Sequence, residues 1–264
     1  MKPAPFDYMR PESLDEALAA LAEAGGEAKV LAGGQSLVPA LNMRLLRPAL
    51  LVDVNRVAGL DDVISENGAL RLGATVRQAD RQLHAHTVLA TVLPHVGHTV
   101  TRNRGTVCGS IAHADAAGEL PLALVACGGS AIGASMRGRR EIPAEDLFLG
   151  PYTTALAQDE LLVETVWPQV ADDEGFAFDE VAQRGGDYAL CMAAARTRGD
   201  DLRVVVGSVT PVPTLLEVDP ERPGESAAVQ VEPWGSIHAS PDYLRHLVHV
   251  LVDRVVERAR ERAA

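Results

Sequence analysis

Apolar residues first recur at helical spacing at Leu14, Leu18 and Leu21. They follow Ser13-Leu14-Asp15-Glu16, which reads as a capping box, and Gly25-Gly26 ends the predicted helix. Val30-Leu31-Ala32 predicts a short strand that runs into Gly33-Gly34-Gln35-Ser36, and Leu50 to Val54 predicts a second strand. The opening therefore reads αβ-loop-β, with a glycine turn at a strand end. Val63 to Leu72 predicts a hairpin turning at Asn67-Gly68, a strong short-range hairpin signal. Thr75 caps a predicted helix through about Leu83, and another helix is expected over Val88 to Val96. Arg102 to Gly118 reads as a loop rich in small residues. Glu119 to Cys127 predicts a helix, Ala131 to Ala134 a strand, and Leu161 to Trp167 a strand closed by Pro168.

The pattern changes after that proline. Asp172-Asp173-Glu174-Gly175 reads as a linker, and Phe176 to Val181, Ala189 to Ala195 and Leu202 to Val209 predict an antiparallel meander. Residues 219–240 are rich in Pro, Gly and Glu and weakly patterned. The last helix opens on Ser240 and Pro241 and carries Leu244, Leu247, Val248, Leu251 and Val255 on one face. A domain boundary is expected near residue 170, and no internal repeat is visible.

Composition narrows the function classes. The 264 residues are 47% hydrophobic and 23% charged, as in an ordinary globular chain able to bury a core without staples. Basic residues number 24 against 36 acidic, a formal net charge of −12, which argues against nucleic acid or an anionic membrane as partner. No uninterrupted apolar run is long enough for a membrane span, and MKPAPFDYMRP lacks a signal-peptide core. Cys108, Cys127 and Cys191 read as free thiols, which points to the cytoplasm. Without a C-x-x-C the chain has no evident iron–sulfur or zinc cradle, and no metal site is expected.

Against that acidic background, Ala28 to Val52 and Thr87 to Ala114 hold no Asp or Glu. They contain Ala32-Gly33-Gly34-Gln35-Ser36 and Thr106-Val107-Cys108-Gly109-Ser110. A pyrophosphate needs several N–H donors converging on it. Glycine lets the backbone approach and adopt the φ > 0 geometry of an anion nest, serine adds a hydroxyl donor, and a helix starting after the loop adds its dipole. Two tight turns between strands would carry the same glycines, so both readings stand at this point. Neither G-x-G-x-x-G nor G-x-x-x-x-G-K is present.

Ala32-Gly33-Gly34-Gln35-Ser36-Leu37 and the stretch Arg102-Asn103-Arg104-Gly105-Thr106-Val107-Cys108-Gly109-Ser110-Ile111-Ala112-His113-Ala114-Asp115 resemble the two flavin-binding loops of the FAD-binding medium subunits of molybdenum hydroxylases. That family includes the carbon monoxide dehydrogenase medium subunit and the flavin domain of xanthine dehydrogenase. Similar stretches continue at Ile142 to Leu156, Glu160 to Val163 and Arg184 to Ala189. The resemblance implies an α+β chain. A vanillyl-alcohol-oxidase-like FAD-binding domain would occupy residues 1–170, with α/β subdomains of about 1–55 and 56–170. A small α+β C-terminal domain would occupy 171–264, with an antiparallel sheet and helices.

The resemblance also implies FAD contacts. The first set is Lys29, Leu31, Ala32, Gly33, Gly34, Gln35, Ser36 and Leu37; the second is Asn103, Thr106, Val107, Cys108, Gly109, Ser110, Ala114 and Asp115. Glu119 corresponds to an acidic residue that hydrogen-bonds the cofactor, Leu162 to an apolar residue near the flavin, and Tyr188 to a cover over one face of the ring. The chain departs from the family at three places. Cys108 stands where a glycine is usual, Asp179-Glu180 stands where a basic residue is frequent, and the C-terminal region after Val209 is shorter.

By this resemblance the chain passes electrons through FAD to NAD, quinone or O2, receiving them from a small [2Fe-2S] subunit beside a large molybdopterin subunit. The alternatives are a stand-alone FAD-dependent dehydrogenase or oxidase of a small organic substrate, and a non-catalytic nucleotide-binding or scaffold protein. Other candidates have plainer readings. His84-x-His86 and His95-x-x-His98 have metal-like spacing but fall on predicted helix surfaces open to solvent. Cys108 reads as a small residue in a glycine's place rather than a redox thiol. His113 and Asp115 are expected to shape the cofactor loop, and Arg254, Arg258, Arg260 and Arg262 to form an exposed helix face.

Overall fold

The computed structural model describes residues 2–263. Its first layer is a parallel sheet of β1 (Asp7–Met9), β2 (Ala28–Leu31) and β3 (Leu50–Asp53) in the order β1-β3-β2, with α1 (Leu14–Ala24) and α2 (Leu37–Asn42) in the connections. Ser13 caps α1 by accepting from the Glu16 N–H, while the Glu16 carboxylate reaches back to the Glu12 N–H. Gly25, at φ 58°, ends the helix in the left-handed region.

The second layer is an antiparallel sheet in the order β4-β5-β10-β6-β7. Its strands are β4 (Val63–Glu66), β5 (Ala69–Gly73), β6 (Ser130–Ser135), β7 (Gly138–Pro143) and β10 (Leu161–Pro168). Asn67 and Gly68 both take positive φ in the β4–β5 turn, as the expected hairpin requires. Between β5 and β6 lie α3 (Thr87–Val92), α4 (Thr99–Arg102), α5 (Val107–His113) and α6 (Glu119–Ala126); α7 (Ala144–Leu147), β8 (Phe148–Gly150) and β9 (Thr153–Thr154) precede β10.

The third layer is the meander β11 (Gly175–Ala182), β12 (Ala189–Arg198), β13 (Asp201–Gly207) and β14 (Thr214–Leu216), followed by α8 (Pro223–Gln230) and α9 (Pro241–Ala263). Alternation assigns its two faces. Phe176, Phe178, Met192, Ala194 and Val205 join the core of the preceding layers. Ala177, Cys191, Ala193, Ala195, Val204 and Val206 meet Leu244, Val248, Leu251 and Val255 of α9. Both faces are buried, which is why these strands read as nearly continuous apolar runs.

Several local expectations need correction. Thr75 starts no helix: its N–H donates to Leu60, the chain stays extended so that Arg77 bridges Thr106, and a short 3₁₀ turn over Arg81–Ala85 follows, capped by Asp80. The loop expected over 102–118 contains α5, and the weakly patterned 219–240 contains α8. His86 is not at the surface. It is wholly buried, its Nε2 3.1 Å from the Trp167 carbonyl, and burial lowers its pKa despite that contact. His95 packs edge-on to Phe178, with Nδ1 3.1 Å from a Glu180 oxygen. Arg254 and Arg258 are exposed but both reach Asp179. Among the described residues no helix is long and apolar enough to cross a membrane.

Candidate functional site

The two acid-free glycine segments meet. A Cβ on Gly33 would lie 2.4 Å from the Arg104 carbonyl oxygen, 2.8 Å from Gly105 Cα and 3.0 Å from the Thr106 nitrogen. All three are backbone atoms, so Gly33 is required for the approach of the second loop rather than for an unusual φ. Gly34 is the residue that bends the chain, at φ 73°.

Beyond β2, the first amide to find a protein acceptor is that of Val38, which donates to Gly34 at 3.0 Å. Among the described residues, the N–H groups of Gly33, Gly34, Gln35, Ser36 and Leu37 donate to no protein group. Consecutive free amides leading into α2, running from buried Gly33 past exposed Gln35, are the kind of donor set a linked pair of phosphates needs.

The second loop contributes from α5. Thr106 Oγ1 caps the helix by accepting from the Gly109 N–H at 3.0 Å, which leaves the Cys108 amide without a protein acceptor. Gln78, itself buried, donates to the Thr106 carbonyl and, at 2.9 Å, to Ser110 Oγ, so the Ser110 hydroxyl proton is free to point elsewhere. The Cys108 side chain turns the other way. It is 2% exposed and donates to the Leu72 carbonyl at 3.3 Å, and burial pushes the thiol up to about 12. It is helical, with no positive φ to favour glycine, and its burial makes it an inert thiol.

A second cluster forms where α5 ends and α6 begins. Ala114 closes α5 at φ 52°, and Asp115 then accepts from the Tyr152 hydroxyl at 3.2 Å while the His113 ring packs against the Tyr152 ring at a tilt of 45°. Glu119 is 5% exposed at the first turn of α6, and burial raises its carboxyl to about 7, with the Glu180 charge acting the same way. Tyr188 leaves 57% of its surface open. Partial burial nevertheless raises its phenol to about 12, with further raising by the Asp115 and Glu119 carboxylates.

The structure thus joins the two loops and groups Asp115, Glu119 and Tyr188 beside the end of α5. Lys29 is exposed on β2, Leu31, Ala32 and Leu37 flank the first loop half-buried, and Asn103 is exposed ahead of the second. Val107 and Ala114 are buried, so their backbone is what they can offer a ligand. Leu162 sits in the core of the five-stranded sheet beside a register shift in β10. Asp179 and Glu180, one of the three departures from the family pattern, are engaged by Arg254 and Arg258 and by His95. Sequence reasoning missed Asn55, Arg77 and Gln78, each of which has a partner more than 20 residues away.

Comparison with known proteins gives four concordant findings. The family model described as FAD binding domain in molybdopterin dehydrogenase matches residues 4–170. The 6-hydroxypseudooxynicotine dehydrogenase complex subunit alpha of Paenarthrobacter nicotinovorans is 36% identical, over 100% of this chain and 97% of the relative. The nicotine 6-hydroxylase medium subunit of the same organism is 35% identical, over 98% and 99%. A solved structure of carbon monoxide dehydrogenase from Hydrogenophaga pseudoflava superposes with a TM-score of 0.94 at 29% identity, covering 100% of both chains.

Proposed function

The chain belongs to the family of FAD-binding domains of molybdopterin dehydrogenases, and from that premise we propose that it is the electron-transferring FAD subunit of a molybdenum-hydroxylase complex. It is an FAD-dependent oxidoreductase chain. In the proposed complex a large molybdopterin subunit oxidises the substrate and a small [2Fe-2S] subunit relays the electrons. FAD, when bound, supplies the chemistry that takes up a two-electron load and hands it to NAD, quinone or O2. The names of the relatives, a complex subunit alpha and a medium subunit, support an assembly over the stand-alone reading.

One observation carries the reading at residue level: the run of free amides from Gly33 to Leu37 begins where Gly33 meets the backbone of the second loop. In the proposed site these amides, the Cys108 amide and the Ser110 hydroxyl hold the pyrophosphate, the absence of carboxylates in both segments sparing it repulsion. Glu119 hydrogen-bonds the cofactor; with its pKa near 7 it donates when protonated and accepts when ionised. Tyr188 screens one face of the flavin ring, and Leu162 supports the ring from the core. The three buried, unpaired thiols suit a reducing cytoplasm.

The test is co-expression with a molybdopterin chain and a [2Fe-2S] chain encoded beside it. Co-elution of all three with FAD supports the proposal. Elution of this chain alone, together with FAD-dependent turnover of a small organic substrate, overturns the subunit reading in favour of a stand-alone enzyme.

A further inference from the structure

Asn55 and Arg77 lie in neither glycine loop, yet they tie the two together. Asn55, two residues beyond β3, donates through its side-chain amide to the Ala32 carbonyl at 2.9 Å and to Asp53 Oδ1 at 2.6 Å. Its own amide oxygen accepts from Arg77 Nη2 at 2.6 Å. The other arm of the guanidinium, Nη1, donates to the Arg104 carbonyl at 2.6 Å. That is the carbonyl for which Gly33 leaves room. The base of the chain is pinned as well, since Asp53 accepts from the Tyr8 hydroxyl at 2.5 Å. A continuous line of hydrogen bonds therefore runs from the entrance of the first loop, through Asn55 and Arg77, to the backbone just before the second. A planar guanidinium presents its two arms to both acceptors in a fixed fork, whereas a lysine ammonium would have to reach them from a single nitrogen on a flexible stem.

We propose that Asn55 and Arg77 form a bracket that sets the spacing of the two loops and thereby governs FAD affinity without touching the cofactor. The proposal rests on the reading of these loops as the FAD site. The donors of that site come from two different layers: Gly33 to Leu37 follow the parallel sheet, and the Cys108 amide opens α5 above the antiparallel sheet. Donors on separate layers converge on one pyrophosphate only if the layers are held at a fixed separation. Holding them so before binding removes the ordering cost that loose loops would incur when the ligand arrives.

The competing role for Arg77 is direct, a positive charge against the phosphates. Four variants separate the two: Asn55→Ala, Arg77→Lys, Arg77→Gln and the double variant Asn55→Ala/Arg77→Lys. Each apoprotein is titrated with FAD, followed by quenching of flavin fluorescence, with thermal melts and amide exchange at residues 33–37 measured alongside. The bracket predicts that each single variant weakens FAD binding by about ten- to a hundredfold, as for loss of a hydrogen bond to a charged group. The double variant should fall within about threefold of the weaker single, because both break one line of bonds. Once FAD is present, exchange at residues 33–37 should rise in all four relative to wild type, because these amides find no protein acceptor and the cofactor is what protects them. Retention of affinity by Arg77→Lys with loss in Arg77→Gln overturns the bracket in favour of direct charge contact. Lower melting temperatures with unchanged FAD affinity overturn it in favour of a purely structural tie. Wild-type apoprotein that takes up no FAD overturns the reading of the loops themselves, whereas wild-type binding with unaffected variants overturns the bracket alone.

Discussion

Gly33→Ala is the smallest change that separates the two loops. The added methyl would stand 2.4 Å from the Arg104 carbonyl oxygen and 2.8 Å from Gly105 Cα, distances that no side-chain rotation relieves because both partners are backbone. Gly33 is not in the left-handed region, so the effect is steric, without a φ penalty. Forcing one methyl into packed backbone costs about 1–3 kcal/mol. If that displacement is expressed at the donor set, FAD binding weakens by about 5- to 150-fold at 1.4 kcal/mol per factor of ten. Part of the same strain is expressed as stability, at about 2–4 °C of Tm per kcal/mol for a chain of this size. Gly185→Ala is the control, since nothing lies within 4 Å of its Cβ position and its φ is ordinary. Titration of both apoproteins with FAD, with melts in parallel, decides the matter. Gly33→Ala binding FAD within twofold of wild type would mean that loop spacing does not control the cofactor, and the reasoning from the loop contact fails.

Three further outcomes are expected. Glu119 has a folded pKa of about 7, raised by burial above its unfolded value, so the native apoprotein holds a proton that the unfolded chain releases first; stability falls as pH rises from about 4.5 to 7, and Glu119→Gln flattens that fall in melts across the range, whereas an unchanged profile contradicts the burial argument. His86 is held below its ordinary pKa by burial, so its contribution is present above about pH 6.5 and lost as acid protonates the unfolded chain; His86→Ala should lower unfolding free energy by about 2–4 kcal/mol in urea, and a change under about 0.5 kcal/mol refutes it as a core residue. Tyr188→Ala should retain FAD through the loops yet shift the flavin absorption bands, and an unchanged spectrum with unchanged acceptor kinetics in the folded variant removes Tyr188 as the flavin cover.

What the sequence disclosed follows from how local each signal is. The Ser13 cap, the Gly25 stop and the Asn67-Gly68 turn act within a few residues, and the structure has each of them. The α5 helix was hidden because Val107 to His113 is built of small residues whose buried set, Val107, Cys108 and Ile111, is too short to show a period. His86 looked like a surface residue because its burial depends on Trp167 and Pro168, some 80 positions away. The two loops stood out for their missing acids, a compositional signal, yet the reason for Gly33 did not: the atoms that exclude a side chain there belong to the other loop. Asn55 and Arg77 were invisible for the same reason, since an Asn after a strand and an Arg in an extended segment acquire meaning only when the fold joins them.

Flavin release from the purified chain tests the central claim most directly. Acid precipitation followed by chromatography of the supernatant should yield FAD, one per chain, because a run of free amides that begins where the first loop meets the second suits a dinucleotide pyrophosphate held without a covalent bond. FMN in the supernatant, flavin retained on the precipitate, or a folded chain that neither carries nor takes up FAD would contradict it.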